Sequence, residues 1–244
     1  MFPGLGTVIN VVAIAIGSSL GVFVGGRITS KSQKMITDIL GLVTLLGAVG
    51  ALFPLWNPVF TSNFPKGSPL LVILSTLLIG GLIGTAISLE SRLDSFGEYL
   101  RGRFNASQES PFVEGFVSAS LLFVIGPLAI LGSVSDGMST GIDQLLLKSS
   151  LDFFASLAFA SSLGWGVAAS IIPVAIYQGA WTVIGLGLGE ILSDYQIDAM
   201  TITGGVLLIC IGLRLLEIKK VAVGNLLPAL FIAPLIASLV HAFN

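Results

Sequence analysis

Lys148 and Asp152 lie four residues apart in the largely apolar segment 145–163. In an α-helix this spacing puts both side chains on one face, one turn apart. An ionisable side chain at membrane depth is unfavourable unless it has a partner or faces a pathway. We predict that Asp152 binds a coupling cation, a proton or a cationic solute group, and that Lys148 neutralises it or binds an anionic group. A purely structural ion pair is the alternative. The serines that accompany the pair in this prediction are Ser149, Ser150 and Ser156.

Gly126 and Pro127 lie in the middle of the preceding apolar segment. Proline removes a backbone donor and clashes with the preceding turn, so we expect a kink or a break there. Backbone groups freed at membrane depth are tolerated only against protein or a wet cavity. The connection that follows, residues 132–144, is small and polar, and is either an ordinary outer loop or the tip of a re-entrant hairpin. The residues that we predict to gate the site from this connection are Asp136, Gly137 and Gly141.

Four more polar residues lie within or at the ends of apolar segments. Asn225, three residues before Pro228, either unwinds the start of the last helix as part of the site or caps that helix. Gln178 belongs to the predicted binding set, and both it and Asn10 are candidates to hydrogen-bond across helices. Arg214 is expected to extend to the inner membrane interface.

The sequence contains no further catalytic or metal-binding pattern. Its single cysteine, Cys210, excludes an intramolecular disulfide and a cysteine metal cluster, and His241 is the only histidine. It has no Ser-His-Asp set, paired carboxylates, phosphate loop or ATP-binding motif. We therefore expect no enzyme activity, no cofactor and no metal. The net charge of −2 offers no basic surface for nucleic acid.

Eight apolar segments must position these residues. Hydrophobic residues make up 54% of the 244, charged residues 10%, and the mean hydropathy is +1.00. Each segment is close to the ~20 residues that a helix needs to cross a bilayer. The segments are continuously apolar and do not alternate as barrel strands do, so the predicted fold is an all-α polytopic membrane bundle. The predicted helices are residues 4–26, 35–56, 69–89, 111–134, 145–163, 166–190, 199–217 and 222–243.

Positive charge orients these segments. Nine of the eleven Lys and Arg residues lie in the first, third and seventh connections. With eight crossings these connections share one side, which the positive-inside rule makes cytoplasmic. Both termini are then external. The nine residues are Arg27, Lys31, Lys34, Arg92, Arg101, Arg103, Arg214, Lys219 and Lys220.

The chain is predicted to form one integral membrane domain, residues 1–244, with a weak internal repeat. Residues 4–89 and 166–243 share Gly-led apolar helices in the same order, and 111–163 are central helices. Counterpart helices are five apart, so they must run in opposite directions, an arrangement typical of secondary transporters. Residues 90–110 form a cytoplasmic connection, which is either an amphipathic interfacial helix or a solvated linker.

Two stretches carry a family resemblance: KSSLDFFASLAFASSLGWGV, from Lys148, and GLRLLEIKKVAVGNLLPAL, from Gly212. Together with an N-terminal Gly-x-x-x-Asn stretch, they make the chain resemble, over essentially its whole length, the YqgA/YdfK family of uncharacterised prokaryotic inner-membrane proteins. The resemblance implies a protein of the cytoplasmic membrane and implies no substrate.

The expected function is a secondary transporter of a small solute or ion, cation- or proton-coupled, surrounded by lipid and forming a homo-oligomer, with a dimer favoured. The site would lie between the break at Gly126, the Lys148/Asp152 face and the start of the last helix. One alternative is an ion channel, which needs rings of like residues around a pore. Another is a non-transporting scaffold or partner-binding protein, and a membrane enzyme comes third.

Overall fold

A computed structural model describes residues 2–108, 110–188 and 192–243, and of Pro127 and Leu188 it describes the backbone alone. Every regular element in these residues is a helix, and none of them forms a strand. The predicted all-α class is therefore confirmed.

Helices form at all eight predicted positions, because a backbone in lipid satisfies its polar groups most simply within its own segment. Two short 3-10 helices, Phe53–Trp56 and Val223–Leu226, flank longer ones. The α-helices in chain order are α1 (Leu5–Gly25), α2 (Ser30–Leu52), α3 (Pro58–Thr61), α4 (Pro69–Ala86), α5 (Leu89–Arg103), α6 (Phe112–Val124), α7 (Pro127–Gly137), α8 (Asp143–Leu163), α9 (Gly166–Ala169), α10 (Ile171–Leu188), α11 (Asp194–Leu215) and α12 (Pro228–His241).

Six helical segments of the described chain are long and apolar enough to cross a membrane. The pair α6 and α7 is bent by 63° and makes a seventh if it counts as one span. The remaining predicted span, α8, is 21 residues long but is not among them, and Lys148 and Asp152 interrupt its apolar sequence. Length and composition thus support six or seven crossings, against the eight predicted.

The connection predicted at 90–110 is largely helical, as α5. Its Phe96 ring packs edge-on against Phe116 of α6, with ring centroids 5.7 Å apart. Tyr99 and Phe104 remain exposed. The connection is therefore a helix rather than an irregular linker, and its position at the membrane interface stays a prediction.

The chain divides into two compact units. Unit 1 comprises residues 1–41 and 93–190, and unit 2 comprises residues 42–92 and 191–244. This division crosses both predicted repeats, since α1 belongs to unit 1 and α4 to unit 2. The inverted repeat itself stays a prediction.

In unit 1, α1 and α8 pack closely and run parallel. Glycines on α1 meet backbone carbonyls of α8: a Cβ at Gly17 would collide with the Phe153 carbonyl oxygen, and one at Gly21 with that of Leu157. Position numbers rise together along the two helices, which defines the parallel direction. Close approach through glycine is the usual way for membrane helices to pack.

The broken pair α6–α7 runs antiparallel to α8 in the same unit. Near the start of α6, Gly115 lies against Leu163 at the end of α8. In the middle of α7, a Cβ at Gly132 would lie 2.9 Å from Leu145 Cγ at the start of α8. Both halves of the broken helix therefore follow one direction along α8.

In unit 2, α4 and α12 pack antiparallel, again through glycine. Gly80 lies against the backbone of Ala229, and Gly84 against the carbonyl of Asn225. Residue numbers rise from 80 to 84 along α4 while those of the facing residues fall from 229 to 225, so the two helices run in opposite directions. The chain immediately before α12 therefore lies beside the end of α4.

Candidate functional site

Lys148 and Asp152 form a buried ion pair within α8. Lys148 Nζ lies 2.5 Å from Asp152 Oδ2, and each residue is only 6% exposed. The spacing-based prediction that the two share one interior face is confirmed. Two charges this well shielded from water are retained only with good mutual geometry or further hydrogen bonds.

Asn10 of α1 supplies a further hydrogen bond to this pair. Its Nδ2 donates to Asp152 Oδ2 at 2.9 Å, so the predicted hydrogen bond across helices is present. The other carboxylate oxygen, Asp152 Oδ1, takes part in neither the bond to Asn10 nor the bond to Lys148. The Asn10 Oδ1 atom is fully buried and has no partner among the described residues. The pair therefore keeps unused acceptor capacity on both the carboxylate and the amide.

The break in the neighbouring helix lies beside this pair. Gly126 has φ 130° and ψ 152°, which a residue with a side chain rarely adopts, so α6 ends and α7 begins across it. Lys148 Nζ lies 5.9 Å from the ring centroid of Phe123, just before the break. Because Gly132 lies against Leu145 and the helices are antiparallel, Lys148 falls at the level of the first turn of α7. The predicted proximity of break and pair is thus observed.

Gln178 of α10 faces the interior of the same unit. It is 0% exposed, and neither its Oε1 nor its Nε2 has a partner among the described residues. Just before α10, Gly166 lies against Phe112 at the start of α6, and farther along Thr182 contacts Gly137 at the end of α7. The broken helix and α10 therefore pack against each other, and Gln178 lies between these two contacts along the chain.

The three predicted serines have different surroundings. Ser149 and Ser156 are buried, whereas Ser150 is exposed on another face. Each hydroxyl donates to a carbonyl of its own helix, which for Ser149 is Leu145 and for Ser156 is Phe153. Serines bonded in this way offer only acceptor capacity to a ligand.

The residues predicted to form a gate have structural contacts in this conformation. Asp136 is buried, and its Oδ2 accepts a hydrogen bond of 2.9 Å from the backbone N–H of Gly6 in the first turn of α1. Gly137 packs against the Thr182 carbonyl of α10, and Gly141 follows α7 in a short connection. The connection is thus mostly a helix end, and its role as a gate stays a prediction.

A second ion pair, buried at Arg214 and partly buried at Glu90, lies in unit 2. Arg214 Nη1 lies 2.8 Å from Glu90 Oε1, and Glu90 Oε2 accepts from the backbone N–H of Gly224 at 2.5 Å. The Glu90 N–H donates to Asn225 Oδ1 at 2.8 Å. Arg214 is therefore buried and paired with Glu90, and its extension to the membrane interface stays a prediction. Asn225 acts as a cap, but for α5 rather than for the helix that follows it.

Sequence reasoning missed the role of Glu90 as the centre of this network. Its oxygens and its own N–H bind residues more than 120 positions away along the chain, a separation over which periodicity is uninformative. One usable signal exists: Glu90 and Arg214 are opposite charges that follow long apolar segments on the same predicted side. Among the described residues no group of three His, Cys, Asp or Glu side chains is arranged to bind a metal ion.

Comparison with known proteins identifies the family. The family described as proteins of unknown function, DUF554, matches residues 5–238. The chain belongs to this family. It is 31% identical over 239 residues to the uncharacterized membrane protein YdfK of Bacillus subtilis (strain 168), covering 98% of both chains. It is 32% identical over 238 residues to the uncharacterized protein YqgA of Escherichia coli (strain K12), covering 94% of both. No solved structure matches it.

The DUF554 match confirms the resemblance drawn from the sequence motifs. With the helical structure, it establishes the chain as a polytopic membrane protein. The binding roles of the Lys148 face, the break and Gln178 are not described by any relative's name, so they remain predictions.

Proposed function

We propose that this member of the DUF554 family is a secondary transporter of a small solute or ion, coupled to protons or another cation. The observation that carries the proposal is the Lys148–Asp152 pair beside the broken helix α6–α7. Intramembrane ionisable residues characteristically line substrate or proton pathways. Broken helices near the membrane midplane are a common way to build the sites of secondary transporters.

Helix directions support eight crossings of the cytoplasmic membrane. Parallel packing of α1 and α8 is what the first and fifth crossings require. Antiparallel packing of α4 and α12 fits the third and eighth crossings. Both packing directions are those expected if α6 and α7 together make one crossing and α8 makes another. With eight crossings the cationic connections lie on one side of the membrane, which the positive-inside rule makes cytoplasmic.

Orientation is testable because the chain has one native cysteine. In a Cys210→Ser background, single cysteines at Ser32 and Ser62 are expected to label differently with an impermeant maleimide in intact cells. Position 62 should react and position 32 should react only after permeabilisation. The reverse pattern contradicts the orientation.

The proposed mechanism turns on whether the ion pair is closed or open. In the closed state each charge neutralises the other, and the helices around them exclude water. Occupation of Asp152 by a proton or a cation releases Lys148, so loading changes the contacts of α8 with both α1 and the break. A transporter needs this kind of differential interaction, since a ligand shifts an equilibrium only by its unequal affinity for two states.

The direct test measures solute uptake by proteoliposomes. Vesicles with the purified full chain are given a defined mixture of amino acids, organic acids, polyols and inorganic ions under an inward proton gradient. Their contents are then measured by mass spectrometry. We expect saturable accumulation of at least one solute above its external level, lost in Asp152→Asn. A matched control is Asp143→Asn, an exposed acid on the same helix.

Two outcomes would replace this proposal. Uptake that equilibrates without ever exceeding the external concentration indicates a channel. Wild-type vesicles that take up no more than protein-free vesicles indicate a scaffold or partner-binding protein.

A further inference from the structure

We infer that the solute is a small monoanion, bound between Lys148 and the start of α7, and that Asp152 takes up the proton that accompanies it. This inference rests on the proposed transport function and specifies its substrate class. It follows from the groups in unit 1 that have hydrogen-bond donors or acceptors without a partner, and from the requirement that the loaded site carry no net charge in the membrane interior.

The first argument is the positive potential at the break. The start of α7, an 11-residue helix whose first residue is Pro127, has backbone N–H groups after the proline that lack an intrahelical acceptor, and it has the positive end of the helix dipole. Lys148 lies level with that first turn, and its ammonium has donors beyond the one used by Asp152. Fixed donors and a cation together favour an anion.

The second argument is the unpartnered amide of Gln178. It is completely buried in unit 1, on the helix that packs against the end of α7 at Gly137. A buried amide with neither end bonded is unfavourable in a packed interior, so a ligand or water bonded to it is expected in another state. Its Nε2 is a further donor in this unit that an oxyanion can accept from.

The third argument is charge balance. The closed pair is neutral. If an anion alone bound Lys148, Asp152 would remain as an uncompensated charge at depth, which is strongly unfavourable. If Asp152 takes up one proton, the loaded site contains an ammonium, a neutral carboxylic acid and an anion, and is neutral again. The two ligands therefore require each other, which couples anion movement to proton movement.

Asn10 fits both protonation states of Asp152. Its Nδ2 donates to the carboxylate in the closed pair. Its free Oδ1 can accept from a protonated Asp152 if the amide turns over, since an amide carries a donor at one end and an acceptor at the other. The proton is thus stabilised without a new charged partner.

Other titratable groups near Asp152 are few. The helices packed against α8 are α1, α6, α7 and α9, and neither α1 nor α9 carries a titratable side chain. Glu114 lies in the first turn of α6, and Asp136 of α7 is bonded to Gly6. Asp143 begins α8 itself. Lys148 is therefore the group whose charge Asp152 neutralises.

Thermal unfolding of the purified full chain tests the anion site without requiring transport. The probes are sodium formate and sodium lactate, against sodium MES of equal ionic strength, with glycine and choline chloride as further comparisons. Asp152→Asn imitates the protonated residue. At pH 8 we expect formate or lactate to raise its melting temperature saturably by at least about 3 °C, with no rise in wild type or Lys148→Met.

Wild type supplies the same test if Asp152→Asn does not fold. At pH 5.5 the anions should stabilise it, and at pH 8 they should not. Absence of any anion effect in either protein overturns the inference, as does an effect that Lys148→Met retains. Stabilisation of wild type at pH 8 by glycine or by sodium ions assigns the site to a zwitterion or a cation instead.

Proteoliposomes that contain a pH-sensitive dye separate this inference from the transport proposal. A lactate gradient should acidify the lumen with the membrane potential clamped by potassium and valinomycin, because the movement is electroneutral. Anion-dependent stability without any solute flux would contradict the transport proposal and support the anion site. Flux of a cation without any anion effect on stability would support transport and contradict the anion site.

Discussion

Two ion pairs in the described residues, Arg214–Glu90 and Lys148–Asp152, differ in whether both oxygens of the carboxylate are bonded. In unit 2, Glu90 binds Arg214 with one oxygen and the Gly224 N–H with the other. In unit 1, Lys148 and Asn10 both donate to the same oxygen of Asp152. The Arg214–Glu90 pair, in which both carboxylate oxygens are bonded, joins distant segments and resembles a structural clamp. In our proposal the Lys148–Asp152 pair, in which one carboxylate oxygen is not bonded, exchanges its partners for a ligand.

Loss of Glu90 should have the largest effect on stability. Glu90→Gln removes the charge that compensates Arg214 and weakens the bond to the Gly224 N–H, so we expect a loss of about 4 kcal/mol in the free energy of unfolding. Unfolding titration in mixed micelles measures it. Glu98→Gln on the same helix is the control, since Glu98 is exposed. Equal stability of the two variants would contradict the clamp.

Loss of one partner from the other pair should have a smaller effect. Lys148→Met leaves Asp152 with its Asn10 bond, and Asp152→Asn leaves Lys148 near the Phe123 ring. We expect each single change to lower the free energy of unfolding by about 3 kcal/mol and to abolish uptake. Leu147→Met, on the exposed face of the same helix, should match wild type in both measurements. Single variants that match wild type in both would show that the pair is dispensable.

Close packing of α1 on α8 keeps Asn10 beside Asp152. In Gly21→Ala the new methyl group collides with the Leu157 carbonyl, so we expect a loss of about 2 kcal/mol and reduced uptake. Gly50→Ala on α2 provides the control, because open space surrounds that position. If Gly21→Ala is as stable as Gly50→Ala, the glycine contact is not needed.

Gln178 should show the smallest effect on stability, with the opposite sign. Because neither end of its amide is bonded, Gln178→Leu should unfold within about 1 kcal/mol of wild type or be more stable. Its uptake should nevertheless fall, since the amide is assigned to the solute. Destabilisation well beyond this range would mean that Gln178 has a structural role.

Local patterns predicted the parts of this fold that depend on neighbouring residues. Apolar segment length located the helices, and the four-residue spacing located the Lys148–Asp152 pair. Gly126-Pro127 located the break, because proline acts on its own helix. Each of these effects is complete within a turn or two of helix.

Contacts between distant segments were beyond these patterns. The bonds of Asp136 to Gly6 and of Glu90 to Arg214 join residues far apart in the chain. Both of these contacts join helix ends, where a backbone N–H or a charged side chain meets its partner only after the helices assemble. A hydropathy criterion also omits α8 from the candidate spans, because Lys148 and Asp152 lower the mean hydropathy of this helix.

The double variant Lys148→Met/Asp152→Asn tests the central claim most directly. Removing both charges leaves no uncompensated group at depth, so its free energy of unfolding should return to within about 1 kcal/mol of wild type. Uptake into proteoliposomes should remain absent, because neither the anion nor the proton has its binding group. A double variant that transports as wild type does would contradict the account, and would leave the pair a structural contact like that of Glu90 and Arg214.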